Sequence, residues 1–231
     1  MSVSPEKIEP ICSIPLAYYK YPDDKHKELK DVTNEAIKNP KVVPVGNGTK
    51  AMAMFTSELN HYYQRQGEHF LHDLDEPIVH HFHDWLKGCY ISFTEDIMGY
   101  NIPNNKPLVI DCWVNKTVKG GRQYPHDHIN SFVSGTYYLH MEESSGKILF
   151  TNPNALKNTP YIGFDNSKET DYNKELFEGD CKEQYLILWQ SHLSHQTAYT
   201  TDGTRMSISM NFMSEEFVSG PYSFKVVKSQ L

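Results

Sequence analysis

Within the run Thr204 to Met213 the chain alternates from Arg205 to Phe212 without a break: Met206, Ile208, Met210 and Phe212 are apolar, while Arg205, Ser207, Ser209 and Asn211 are polar. A period of two marks a β-strand with unlike faces. The fold must therefore supply an apolar layer on one side of that strand. Read alone, the polar face belongs in water, as one face of an antiparallel sheet commonly does.

The neighbourhood of this strand is β-rich. After Asn101, short runs of Val, Ile, Tyr, Phe and Thr predict strands near Leu108–Val118, Ser131–Met141, Lys147–Thr151, Tyr185–Trp189, His195–Thr200, Thr204–Met213 and Tyr222–Val227. Gly120-Gly121, Ser144-Ser145-Gly146, Glu178-Gly179-Asp180 and Thr201-Asp202-Gly203 separate them with residues that tolerate positive φ. The first hundred residues read mostly as helix. Lys27 to Asn39 lacks Gly and Pro. From Pro77 onward, Ile78, Phe82, Trp85, Leu86, Tyr90, Phe93 and Ile97 recur at three- and four-residue steps, forming one apolar helix face suited to packing on a sheet. Ile11 to Tyr21 predicts one earlier strand, stopped by Pro22, Asp23 and Asp24. The expected fold is mainly β with helical cover, a sandwich or jelly roll with N-terminal helices on one face. No repeat or linker divides it, so a single domain is expected over 1–231, with 1–100 as mainly helical support and 101–231 as the β core.

Composition narrows the function. Lys and Arg total 22 against 29 Asp and Glu, a net charge of -7, the wrong sign for gripping phosphate backbones, so no duplex nucleic acid partner is expected. No run of 18 apolar residues exists for a membrane span, and Met1 to Lys7 lacks the basic start and apolar core of a signal peptide. A cytoplasmic protein is expected. Cys12, Cys89, Cys112 and Cys181 are scattered without a CxxC pair and read as reduced, buried thiols. No P-loop spacing or GxGxxG supports a nucleotide cofactor.

Twelve histidines are unusual for this length, and their spacing sorts them. In Tyr124-Pro125-His126-Asp127-His128 two imidazoles stand two residues apart, on the same face if the chain is extended. His195 ends a later run, Leu188 to His195, which a jelly roll can bring alongside. Two ligands from one strand and a third from a distant one is how barrel-type non-haem metal sites are assembled. His72, His80, His81 and His83 fall on or near the amphipathic helix and read as a solvated face, and His192 as a neighbour of the metal group. The turn before Arg205 bears on its direction. A strict Asp202-Gly203 hairpin pairs His195 with Met210, whereas a loop one residue longer or shorter puts Arg205, Ser207, Ser209 and Asn211 on the His195 face. The latter buries a cation, which is costly unless an anionic ligand joins it.

The runs His126 to Leu139, Gly146-Lys147-Ile148-Leu149-Phe150, Ser191 to His195 and Arg205 to Phe212 together resemble the 2-oxoglutarate and Fe(II)-dependent oxygenases of the double-stranded β-helix class. More narrowly, they resemble a branch with an HxH, SG-x-YY and R-x-S-x-S-x-N-F pattern known from marine bacteria and tailed phages. The likeness spans Trp113 to Phe212. It implies Fe(II) and 2-oxoglutarate as cofactors, His126 and His195 as iron ligands, and Arg205 on the far carboxylate of 2-oxoglutarate with Ser207 beside it. Tyr137 or Tyr138 would add a phenol, and Asn115 and Asn211 would line the site.

One position departs from the wider class, which carries HxD or HxE where this chain has His128. By strand parity His128 takes the carboxylate's place, giving a three-His site, whereas a bulge would turn Asp127 inward instead. The expected activity is oxidative decarboxylation of 2-oxoglutarate coupled to hydroxylation of a small-molecule or peptide substrate. Two rival readings stay open: a three-His cupin-like metal enzyme that does not use 2-oxoglutarate, and a non-catalytic jelly-roll binding module. Homodimerisation stays open as well.

Overall fold

Strand β10 (Arg205–Ser214) lies inside a seven-stranded antiparallel sheet, between β5 (Val133–Met141) and β4 (Pro107–Thr117). The structure, a computed structural model, describes residues 7, 13–38, 74–102, 104–129, 131–153 and 167–227, together with the backbone of 42–45 and 59–64. The large sheet runs β1-β8-β5-β10-β4-β3-β2, with β1 (Ala17–Lys20), β2 (Val42–Val45), β3 (Leu59–Gln64) and β8 (Tyr185–Gln190) completing it. A second sheet, β7-β6-β9, is built from β6 (Ile148–Thr151), β7 (Leu176–Glu178) and β9 (His195–Thr197), and β11 (Glu216–Ser219) pairs with β12 (Tyr222–Lys225) as a separate hairpin. Antiparallel sheets with helical cover form the jelly roll expected from the turn-punctuated β pattern.

The first hundred residues are less helical than expected. They supply β1, β2 and β3 to the large sheet, and β3 pairs with β4 from Leu59↔Thr117 to Tyr62↔Val114. Short segments such as Val42–Val45 are too brief for periodicity to reveal, and only pairing with a long neighbour makes them strands. Helix α1 covers Asp23–Ala36, starting earlier than the Lys27 expected. Asp23 and Asp24, read as a strand stop, also occupy its first turn, where carboxylates favour the positive end of the helix dipole. Helix α2 runs Pro77–Ile91 and continues as a π-helical segment, Ser92–Ile97. The expected strand start, Cys12 and His72 lie outside the described residues.

Alternation along the strands sorts side chains into two cores. Met206, Ile208, Met210 and Phe212 of β10, with Tyr137 and Leu139 of β5 and Leu186 and Leu188 of β8, pack against Leu29, Phe82, Leu86 and Tyr90 of the helices. Facing the small sheet are Tyr138, Ile187 and Trp189, packed with Ile148, Phe150, Cys181 and Leu193. The expectation that the polar face of β10 meets water is therefore overturned. Arg205, Ser207, Ser209 and Asn211 are 3%, 2%, 7% and 7% exposed, because helices cover one face of the large sheet and the small sheet faces the other.

The hairpin argument for the direction of Arg205 also fails at its premise. β9 pairs with β6, and β10 with β4 and β5, so Asp202-Gly203 lies in a crossing between sheets and sets no His195–Arg205 register.

Candidate metal and cofactor site

His126 and His195 are joined by main-chain hydrogen bonds in both directions, His126 N–H to His195 O at 2.9 Å and His195 N–H to His126 O at 2.8 Å. The HxH segment is thus extended but forms only an isolated bridge rather than a strand. His128 N–H donates to Ser191 O at 3.0 Å, which lays the same segment along the chain leading into β9. These bonds bring three imidazoles together. Ring centroids are 4.3 Å apart for His126 and His195, 5.2 Å for His126 and His128, and 5.1 Å for His128 and His195. One nitrogen from each lies within 4.8 Å of the others. Asp127 is exposed and outside this group. The alternative in which it turns inward is not the one the backbone adopts.

The rings are held in a ligating state. His126 Nδ1 lies 2.9 Å from Tyr124 O and His195 Nδ1 lies 3.0 Å from Leu193 O. A carbonyl only accepts, so each Nδ1 carries the proton and each Nε2 presents its lone pair inward. Burial lowers the pKa of all three: His126 and His195 fall below the ordinary histidine range, and His128, with added repulsion from His126, falls to about 4. They are neutral imidazoles near pH 7, the form that binds metal. Trp113 stacks on His128, Trp189 meets His195 edge-on, and Asn211 is hydrogen-bonded to His128.

The same cavity, about 460 Å³ of empty space, carries Arg205, Ser207, Ser209, Asn115 and Tyr138 on its walls. Arg205 is fixed at its far end by Gly146 O, close to NH1, and by Thr117 Oγ1, 3.2 Å from NH2. No carboxylate pairs with it among the described residues, and burial lowers its pKa. Arg205 Nε, Asn115 Oδ1 and Trp189 Nε1, all buried on this cavity, have no hydrogen-bond partner among the described residues. An unpaired buried charge costs several kcal/mol, on the order of 3–5. A fold that keeps one there is arranged for an anion.

Two expected residues are placed differently from expectation. Tyr137 does not line the cavity. It faces the helices, with its hydroxyl 2.6 Å from His26 Nδ1, whereas Tyr138 faces the cavity by strand alternation, its hydroxyl accepting from Cys181 Sγ at 3.0 Å. Asn211 stands behind His128, accepting from Ser134 Oγ at 2.8 Å. Asn115 lines the cavity and donates to Ser209 Oγ at 2.8 Å. Sequence reasoning missed Gln123, whose amide lies 3.2 Å from His126 Nε2, and Gly146, whose carbonyl holds Arg205. Of the described helix histidines, which all stay outside the site, His80 pairs with Asp75 at the surface and His81 bonds Tyr21 at 2.7 Å, but His83, expected on a solvated face, is 6% exposed and among the buried residues of α2. His192 is exposed.

Residues 111–211 match the family model described as "Putative 2OG-Fe(II) oxygenase". The match covers a little under half of the chain, and all three histidines and the buried arginine of the cavity fall inside it. No curated protein matches the chain by sequence. Among solved structures it is similar to a prolyl-4-hydroxylase from Pseudomonas putida, with TM-score 0.57 and 10% identity, covering 87% of this chain and 94% of that one. It is also similar to the epimerase SnoN from nogalamycin biosynthesis, crystallised with Fe3+, alpha ketoglutarate and nogalamycin RO (TM-score 0.59, 10% identity, 90% and 83% covered). A third is HygX from Streptomyces hygroscopicus with nickel, 2-oxoglutarate and hygromycin B (TM-score 0.54, 11% identity, 86% and 82% covered). At such identities the likeness is one of fold.

Proposed function

We propose that this chain holds Fe(II) with His126, His128 and His195, takes 2-oxoglutarate against Arg205, and hydroxylates a small-molecule or peptide substrate. The observation that carries the reading is the pairing, in one cavity, of three converging neutral imidazoles with a buried guanidinium that has no anionic partner. The donor set fits the metal. Imidazole suits iron, and three ligands from one side leave positions for other groups. When bound, Fe(II) and 2-oxoglutarate supply an oxidative decarboxylation that yields succinate and carbon dioxide and inserts oxygen into a C–H bond.

The chain's own part is placement. Arg205 would donate to the far carboxylate of 2-oxoglutarate through its unpartnered Nε and the remaining guanidinium hydrogens, a paired-donor geometry suited to a carboxylate. Ser207 and Tyr138 offer hydroxyls on the same wall. Asn211 orients His128, and the Tyr124 and Leu193 carbonyls keep Nδ1 of His126 and His195 protonated. Trp113 and Trp189 flank the imidazoles and keep water from their faces.

Strands from both halves of the chain share the large sheet, which supports a single domain over 1–231. The similar structures include a prolyl-4-hydroxylase and HygX with hygromycin B bound, which supports a substrate of either size class. Among the described residues Cys89, Cys112 and Cys181 are buried and form no disulfide, in keeping with the reduced thiols expected. Among the described residues no helix is long and apolar enough to cross a membrane. The reading is tested by succinate formation from 2-oxoglutarate with Fe(II) and oxygen. It predicts slow turnover without substrate that is lost in His195→Ala and Arg205→Ala, and undiminished turnover in both variants would overturn it.

A further inference from the structure

A second, larger depression, about 1690 Å³ including its open mouth, adjoins the metal site and shares His128 with it. One wall is Asp127 to Ile129 with Ser131 to Val133, another is Phe93 and Thr94 of the π-helical segment with the turn through Tyr100, and a third is β11. Its surface is apolar and exposed: Tyr100 is 48%, Ile129 80%, Phe132 38% and Val218 56% accessible. Isolated apolar residues on a surface need no explanation, but a contiguous set lining a concavity marks a binding site.

The β11–β12 hairpin forms its own two-stranded sheet, a marginal structure unless it leans on something. Here Phe217 meets Phe132 edge-on at 5.1 Å and stacks on Phe224 at 5.1 Å. The hairpin thus stands as an aromatic wall across the groove from Gln190, whose amide reaches the Tyr100 hydroxyl at 3.3 Å.

Charge gives the groove a polarity. Asp127 is the one Asp, Glu, Lys or Arg among the described residues that line it. Its carboxylate makes no ion pair or hydrogen bond among the described residues, and it sits one residue from the shared His128. Among the described residues no Lys or Arg lines the groove to receive an anion.

Resting on the functional reading above, we propose that this groove seats the primary substrate, and that the substrate is an amine with an apolar, ring-sized body, its ammonium group at Asp127 and its body against the joined rings of Phe132 and Phe217. Asp127 is thereby a specificity-determining residue, and the HxH motif serves two purposes: its histidines face the metal site while the residue between them faces the substrate.

The test uses three probes of matched size, 2-phenylethylamine, 2-phenylethanol and phenylacetate, titrated calorimetrically into the full chain with Fe(II) and 2-oxoglutarate under argon, and again with no metal added. The amine is expected to saturate and to bind more tightly than the alcohol, with phenylacetate weakest. Asp127→Asn should weaken the amine about three-fold, the effect of one exposed ion pair, and leave the alcohol unchanged. Phe217→Ala should weaken amine and alcohol together. Phe217→Leu, which keeps the hairpin packed, should weaken them less. The proposal is overturned if phenylacetate binds as tightly as the amine, if Asp127→Asn leaves the amine unaffected, or if neither amine nor alcohol saturates. Binding in the metal-free chain separates the two readings: the groove result stands without iron, whereas loss of the Fe(II) and 2-oxoglutarate response would count against the oxygenase reading alone.

Discussion

Tyr137 and Tyr138 are adjacent in β5 and point to opposite sides of the large sheet, the first hydroxyl bonded to His26 at 2.6 Å and the second accepting from Cys181 beside Arg205. Strand alternation alone divides their roles. Tyr138→Phe is predicted to lower affinity for 2-oxoglutarate and Tyr137→Phe to leave it unchanged while lowering the melting temperature. Titrating both variants with 2-oxoglutarate beside a thermal melt checks this, and an equal effect on binding would refute it.

The metal group makes a sharper distinction between neighbours. His128→Ala is expected to lower metal affinity at least about 100-fold, since a lost ligand costs no less than a lost outer partner. Asp127→Ala should retain it, because that side chain is exposed and outside the ligand group. Anaerobic Co(II) titration, read by visible absorption, compares them directly.

Arg205 should cost stability when no ligand is present. Its guanidinium is buried without an anionic partner among the described residues, so Arg205→Met is expected to raise the melting temperature of the ligand-free protein. Added 2-oxoglutarate should raise the melting temperature of the wild type and not that of the variant.

Acid stability depends on the helix side of the sheet. Burial would raise the Glu183 pKa, but Lys30 at 2.7 Å and His26 at 3.2 Å outweigh it and hold the carboxyl at about 2, below its ordinary 4.5. His140 Nδ1 stands 3.0 Å away on the same carboxylate. A depressed carboxylate stabilises the fold above its unfolded pKa and loses that contribution as pH falls toward the folded one. The stability difference between wild type and Glu183→Gln should therefore be full above pH 4.5 and shrink as pH falls toward 2, as urea unfolding across that range will show.

Gly146 has φ +71, and a Cβ there would meet Ala198 O. Gly146→Ala is expected to destabilise the fold by roughly 1–3 kcal/mol and, by moving the carbonyl that holds Arg205, to weaken 2-oxoglutarate binding as well. Chemical denaturation and ligand titration of the variant measure the two effects separately.

Much of this was legible in the sequence, for identifiable reasons. The long apolar stripe from Pro77 and the alternation from Thr204 are strong periodic signals, and both elements are where they were expected. Burial of the polar face of β10 was not legible from the strand itself and came only with the family resemblance, because it depends on a second sheet whose strands, such as Leu176–Glu178, are too short to declare themselves. The proximity of His126, His128 and His195 followed from motif order and spacing. The route was different from the one a hairpin would give, since β9 and β10 belong to separate sheets. Gln123 and the Gly146 carbonyl carry no side-chain signature of their roles, and only the packed structure brings them to the site.

The most direct measurement of the central claim is anaerobic titration of the Fe(II)-loaded protein with 2-oxoglutarate, following visible charge-transfer absorption in wild type and in Arg205→Ala. A saturable band in the wild type that weakens sharply in the variant is the predicted result. Tight iron binding with no response to 2-oxoglutarate, or a response that Arg205→Ala leaves intact, would contradict it.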